Sequence, residues 1–198
     1  MKQSYSIQKI CKSPEIFVVE DFLNSQECET IIYKYQKYLT NSMTTGGKKF
    51  INTKARTSQS CFIDNNDFLN TIRDKICQIH NWETDKTEKF QFALYDKGDF
   101  YGAHYDAFDI RNTSSLSRSI RDSGQRLITN IIYLNSTLDG GDTCFPRLDL
   151  SIKPKAGNLL TFQNCIEGTN FLNPYSIHES RKVLEGKKWI LSLWLREY

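Results

Sequence analysis

Near Glu88 the chain changes its hydrophobic rhythm, and that change limits the folds open to it. Before it, apolar residues recur at helical spacing. Cys28, Ile31, Ile32, Tyr35 and Leu39 follow Ser25, an N-cap candidate, and Phe68, Leu69, Ile72, Ile76 and Ile79 belong to a second helix from near Asn65 to about Asn81. After it come short runs with period-two alternation or β-rich composition, at 90–95, 127–134, 158–162 and 188–195. Turn signals such as Gly140-Gly141-Asp142 and Pro154-Lys155-Ala156-Gly157 separate them. Ile16 to Val19 and Arg56 to Ser58 read as further strands. Helices first and many short strands later predict an α+β arrangement, with helices packed on one side of an antiparallel barrel or jelly roll whose mouth suits a site.

At 198 residues the chain fits one domain, with helical support over about 14–82 and a β-core over about 88–198. A charged fraction of 25% and a hydrophobic fraction of 39% exclude a disordered chain. The net charge of +3 is dispersed among acids, which argues against a nucleic-acid partner. No window approaches the roughly 20 apolar residues of a membrane span, and no apolar signal core follows Met1, so a cytoplasmic protein with no membrane partner is expected. Six cysteines lie far apart without zinc-site spacing and read as reduced, mostly buried thiols. Residues 43–54 and 112–124 are polar and read as loops.

Only three histidines occur, and one of them, His104, stands two positions before Asp106. On an extended strand such residues share a face about 7 Å apart, whereas on a helix they diverge by about 200°. An extended segment would therefore let both grip one ion, with His178 as the natural third ligand. Two imidazoles and a carboxylate form the facial set that leaves positions open on Fe(II). The competing reading is a pair of hydrogen-bonded polar groups in a barrel.

In the last run, alternation places Lys188, Ile190, Ser192 and Trp194 on one face and Trp189, Leu191, Leu193 and Leu195 on the other. If the first face looks into the barrel, Lys188 is an isolated buried cation that needs a partner, which the distal carboxylate of 2-oxoglutarate would provide. A surface lysine beside Lys187 is the alternative.

The strings Phe17-Val18-Val19-Glu20-Asp21-Phe22-Leu23, Arg56-Thr57-Ser58 and Tyr95-x-x-Gly98-x-x-Tyr101-x-x-His104-x-Asp106 occur in order. They are followed by Gln125-Arg126, Gly140-Gly141-Asp142-Thr143, Phe145-Pro146, His178, Lys188-Trp189 and Trp194. Together they resemble the prolyl 4-hydroxylase group of the Fe(II)/2-oxoglutarate-dependent dioxygenases, from about Phe17 to Trp194. The resemblance implies a double-stranded β-helix, Fe(II) on His104, Asp106 and His178, and 2-oxoglutarate anchored by Lys188 with Tyr95 and Thr143 as further contacts. It implies Tyr101, Arg126 and Trp194 around the substrate channel, and a loop from Met43 to Arg56 that closes over a peptide. O2 as co-substrate, ascorbate as reductant and a proline-containing peptide or protein as substrate follow from the same likeness, with succinate and CO2 released.

Two features depart from the family pattern. Glu179-Ser180-Arg181-Lys182-Val183 replaces a small Cys-Pro-containing segment, and 111–121 is basic and serine-rich. Both bear on the substrate, so hydroxylation of a free amino acid or small molecule stands beside the peptide reading. A non-catalytic binding module for proline-rich ligands is the alternative from a different class.

Overall fold

The structure, a computed structural model, describes residues 5–42, 55–111, 120 and 123–198. The loop expected at 43–54 and most of that at 112–124 lie outside these residues. No helix among the described residues is long and apolar enough to cross a membrane.

Strands β1 (Ile7–Lys12) and β2 (Glu15–Val19) lead into helix α1 (Ser25–Tyr35). The cap of α1 is Asn24, not Ser25. Asn24 Oδ1 accepts from the Glu27 amide at 2.9 Å while Glu27 Oε2 accepts from the Asn24 amide at 2.8 Å. This reciprocal pair needs an acidic or amide side chain three residues after the cap, and Ser25 has Cys28 there. Helix α2 (Asp67–His80) is capped by Asn66 and ends on Asn81 in the left-handed region.

The remaining strands are β3 (Thr40–Asn41), β4 (Gln59–Ile63), β5 (Phe90–Tyr95), β6 (Tyr101–His104), β7 (Arg126–Tyr133), β8 (Asp139–Gly140) and β9 (Thr143–Phe145). They continue with β10 (Leu150–Ile152), β11 (Leu159–Gln163), β12 (His178–Ser180), β13 (Val183–Glu185) and β14 (Lys188–Arg196). A major sheet runs β1-β2-β11-β7-β14-β5-β4-β3, a minor sheet runs β10-β9-β12-β6, and β13 pairs with β8.

Side-chain alternation on the major sheet builds two cores. Leu191, Leu193 and Leu195 of β14 join Leu69, Ile72 and Ile76 of α2 and Cys28 and Ile31 of α1 on the outer face. On the inner face, Ile190, Ala93, Ile131 and Phe162 meet Phe145 of the minor sheet. The result is a double-stranded β-helix with helices on one side.

Arg56 to Ser58 is not a strand of the major sheet. The Thr57 amide donates to Phe100 O and Gly102 N to Ala55 O, while Ser58 O accepts from Ser42 N. The segment thus crosses from the edge of β6 to the start of β4, and regular pairing begins only at Gln59. Before α1, the Leu23 amide donates to Gly157 O at 3.0 Å. Gly157 has φ +81°, and a Cβ there would lie 2.2 Å from Leu23 O, so this junction requires glycine.

All six cysteines are free, four of them buried.

Candidate active site

The ladder between β12 and β6 sets His178 opposite His104. Asp106 follows two residues after His104, in the bend beyond β6. Potential ligand atoms of the three residues lie within 4.8 Å of one another. His104 Nε2 is 3.7 Å from Asp106 Oδ1, and His178 Nε2 is 3.6 Å from Asp106 Oδ2.

Both imidazoles are turned by backbone carbonyls. His104 Nδ1 donates to Gly102 O at 2.9 Å and His178 Nδ1 to Ser176 O at 3.0 Å, which leaves each Nε2 lone pair facing Asp106. Burial, followed by the neighbouring His178, pushes the His104 imidazole down to about 3, so it is neutral near pH 7. Burial works against charge on Asp106, but the two imidazoles, Arg126 and the Trp194 hydrogen bond outweigh it and hold the carboxyl below its usual range. Asp106 Oδ2 accepts from Thr129 Oγ1 at 2.7 Å and from Trp194 Nε1 at 2.9 Å.

Two imidazole nitrogen donors and one ionised carboxylate on one side of a cavity fit a divalent iron that keeps open positions.

Lys188 shares that cavity and is 1% exposed. Its Nζ donates to Ser180 Oγ at 2.8 Å and lies 3.4 Å from Thr143 Oγ1, above the rings of Tyr95 and Tyr133. No carboxylate among the described residues lies within ion-pair distance, and burial pushes the ammonium down to about 7. An enclosed cation with hydroxyl neighbours and no carboxylate in ion-pair contact fits an incoming carboxylate.

On the open side, the Tyr101 ring stacks on His104 with centroids 3.6 Å apart, and the Arg56 guanidinium lies 4.6 Å above the Tyr101 ring. Burial pushes the Tyr101 hydroxyl up to about 12. Arg126 lies 4.1 Å above Trp194 and is held by Glu88, whose Oε2 accepts from Arg126 Nη2 at 2.7 Å. Arg196 Nη1 donates to the same Glu88 at 2.9 Å. Glu179, from the segment that departs from the family pattern, lines the cavity beside these groups.

Residues 90–196 match the family model described as the 2OG-Fe(II) oxygenase superfamily. The chain belongs to this superfamily.

A protein of Acanthamoeba polyphaga mimivirus named as a prolyl 4-hydroxylase is 33% identical over 91% of this oxygenase and 74% of its own length. Prolyl 4-hydroxylase 1 of Arabidopsis thaliana is 28% identical over 93% of this chain and 70% of its own. The viral collagen prolyl hydroxylase of Paramecium Bursaria Chlorella virus-1, solved as its 2OG complex, superposes with a TM-score of 0.72 at 26% identity, covering 92% of this chain and 96% of that one. This oxygenase is a 2-oxoglutarate-dependent dioxygenase of the prolyl 4-hydroxylase-like group, using Fe(II), 2-oxoglutarate and O2.

The cavity of the oxygenase gathers His104, Asp106, His178, Lys188, Tyr95, Thr143, Tyr101, Arg126 and Trp194. The sequence pattern did not reveal Ser180 and Arg56 there, nor Glu88, which holds Arg126. Ser180 was within reach, because it stands two residues after His178 and so faces the same side of an extended strand. Glu88 carried no local signal, since its partners lie 38 and 108 positions away.

Proposed function

We propose that His104, Asp106 and His178 hold the iron, that Lys188 anchors the distal carboxylate of 2-oxoglutarate, and that the enzyme hydroxylates a prolyl residue in a peptide or protein. The observation that carries the site reading is the uncompensated Lys188 ammonium in the same cavity as the triad. The prolyl reading is supported by the relatives named for that activity.

Bound at the triad, iron supplies O2 activation coupled to oxidation of 2-oxoglutarate to succinate and CO2, with one oxygen atom inserted into a substrate C–H bond. The chain's own task is to orient and enclose. The carbonyls of Gly102 and Ser176 keep the proton on Nδ1 of each histidine. Thr129 and Trp194 both donate to Asp106 Oδ2, which would leave Oδ1 available to a bound metal. Ser180 and Thr143 present hydroxyls beside Lys188 to the same carboxylate, and Tyr95 walls the pocket. Tyr101, Arg126 and Trp194 line the substrate side, where packed rings exclude water.

The same reading takes 1–198 as one catalytic unit. Its support is that β2 and β4 from the N-terminal part are hydrogen-bonded to β11 and β5 of the β-core. A cytoplasmic location is supported by the six free thiols.

The test is anaerobic addition of Fe(II) and 2-oxoglutarate, followed by optical spectroscopy. A metal-to-ligand charge-transfer band that is lost in His178→Ala and weakened in Lys188→Ala is expected, followed by succinate release on adding proline-containing peptides. Absence of the band in wild-type protein would refute the site assignment, and turnover of free proline without peptide turnover would refute the substrate assignment.

A further inference from the structure

The polar groups behind Asp106 converge on one amide. Asn164 follows β11 and is fully buried. Its Nδ2 donates to Thr129 Oγ1 at 2.8 Å, and Thr129 Oγ1 lies 2.7 Å from Asp106 Oδ2. A hydroxyl has one hydrogen to give. With the amide occupying a lone pair of the Thr129 oxygen, that hydrogen is directed at the carboxylate. Asn164 Oδ1, at 3.2 Å from the same hydroxyl, is the more distant and uncharged competitor.

The backbone of Asn164 serves the opposite ligand. Its carbonyl accepts from the Asn173 amide at 2.9 Å and from Ser176 Oγ at 3.1 Å, which holds the turn Pro174–Ser176. The next carbonyl in that path, Ser176 O, is the one that accepts from His178 Nδ1.

We propose that Asn164 is a positioning residue for the metal site, acting on Asp106 through the Thr129 hydroxyl and on His178 through the turn that ends at Ser176. The inference rests on the reading that His104, Asp106 and His178 hold the iron. Asp106 lies beyond the end of β6, outside the ladder, and its side chain is restrained by the direct bond from Trp194 Nε1 and by the relay from Asn164 through Thr129. The two arms separate cleanly. Substitution removes the side-chain arm and leaves the carbonyl arm in place.

Co(II) uptake, followed by visible absorption, tests the side-chain arm in a double-mutant cycle of Asn164→Ala and Thr129→Val, with Thr129→Ser as the variant that keeps the hydroxyl. Each of the first two is expected to weaken Co(II) binding roughly 10-fold. The double variant should bind no more weakly than Thr129→Val alone, and Thr129→Ser should match the wild type. Equal losses from Asn164→Ala in both backgrounds, or no loss at all, would overturn the proposal. If Asn164→Ala does not fold, equal affinities of Thr129→Val and Thr129→Ser would overturn it instead. Co(II) uptake that is absent from the wild type, or undiminished in Asp106→Ala, would overturn the metal-site reading itself.

Discussion

His178 faces His104 across the antiparallel ladder of β12 and β6, and their ring centroids are 4.3 Å apart. The pair comes from two short strands 74 positions apart, so strand register brings the two nitrogen donors together. Asp106 then closes the set from the bend after β6.

Replacing Lys188 by methionine separates binding from stability. With Lys188 proposed to anchor the distal carboxylate, its loss should weaken 2-oxoglutarate binding about 100-fold. The ligand-free protein at pH 6 should become more stable by about 1 kcal/mol, because an uncompensated buried charge is replaced by an apolar chain of similar length. Calorimetric titration and urea unfolding measure the two effects. A destabilised variant would mean that Ser180 and Thr143 alone satisfy the ammonium.

Proton uptake should accompany 2-oxoglutarate binding. Burial pushes Lys188 down to about 7, while an unfolded lysine titrates at about 10.4. Between these values the unfolded chain holds the extra proton, so the ligand-free protein gains stability as pH rises through this window. Below the folded value both states are charged and the burial penalty is complete. A bound carboxylate favours the ammonium, so binding at pH 8 to the Zn(II)-loaded protein should take up about one proton. Titration in buffers of different ionisation enthalpy should show the uptake in wild-type protein and not in Lys188→Met.

Glu88→Gln leaves Arg126 and Arg196 without their shared carboxylate. The Glu88 side chain is 19% exposed, so the loss is smaller than for a fully enclosed pair, about 2 kcal/mol. Thermal unfolding should fall by roughly 5 °C. The peptide KM should rise while 2-oxoglutarate affinity holds, since Arg126 lines the open side and Lys188 is untouched.

Two glycine substitutions should differ sharply. Gly98 has φ +94° with nothing within 4 Å of an added Cβ, so Gly98→Ala should cost about 1 kcal/mol from backbone conformation alone. Gly157→Ala adds a collision with Leu23 O and should cost about 3 kcal/mol. Equal losses in urea unfolding would show that the α1 entry and the turn before β11 yield without cost.

Much of this was legible where a segment was long enough to show its period. The run 188–195 displayed two clean faces, and β14 carries them as read, with Lys188 toward the cavity and Leu191, Leu193 and Leu195 toward the helices. Strands of three residues such as β9 and β12 show no period, so their pairing was invisible even though His178 itself stood out. The Arg56 segment misled because it leads directly into β4 while its own hydrogen bonds go to the edges of two different sheets. The cap of α1 was misplaced by one residue because the sequence offers Asn24 and Ser25 side by side, and only the acceptor at Glu27 decides between them. Glu88 and Asn164 act through partners distant in the chain, which local pattern cannot reveal.

The alternation of β14 also constrains how this chain can vary over time. At one parity a change would alter how much protein survives in the cell, and at the other it would alter what the surviving protein turns over. A residue inserted just before Lys188 that slipped the strand by one position would exchange the two roles, turning leucine toward the cavity and sending the lysine into the helix packing. Length in this strand is therefore expected to be guarded more strictly than the identity of any one of its residues.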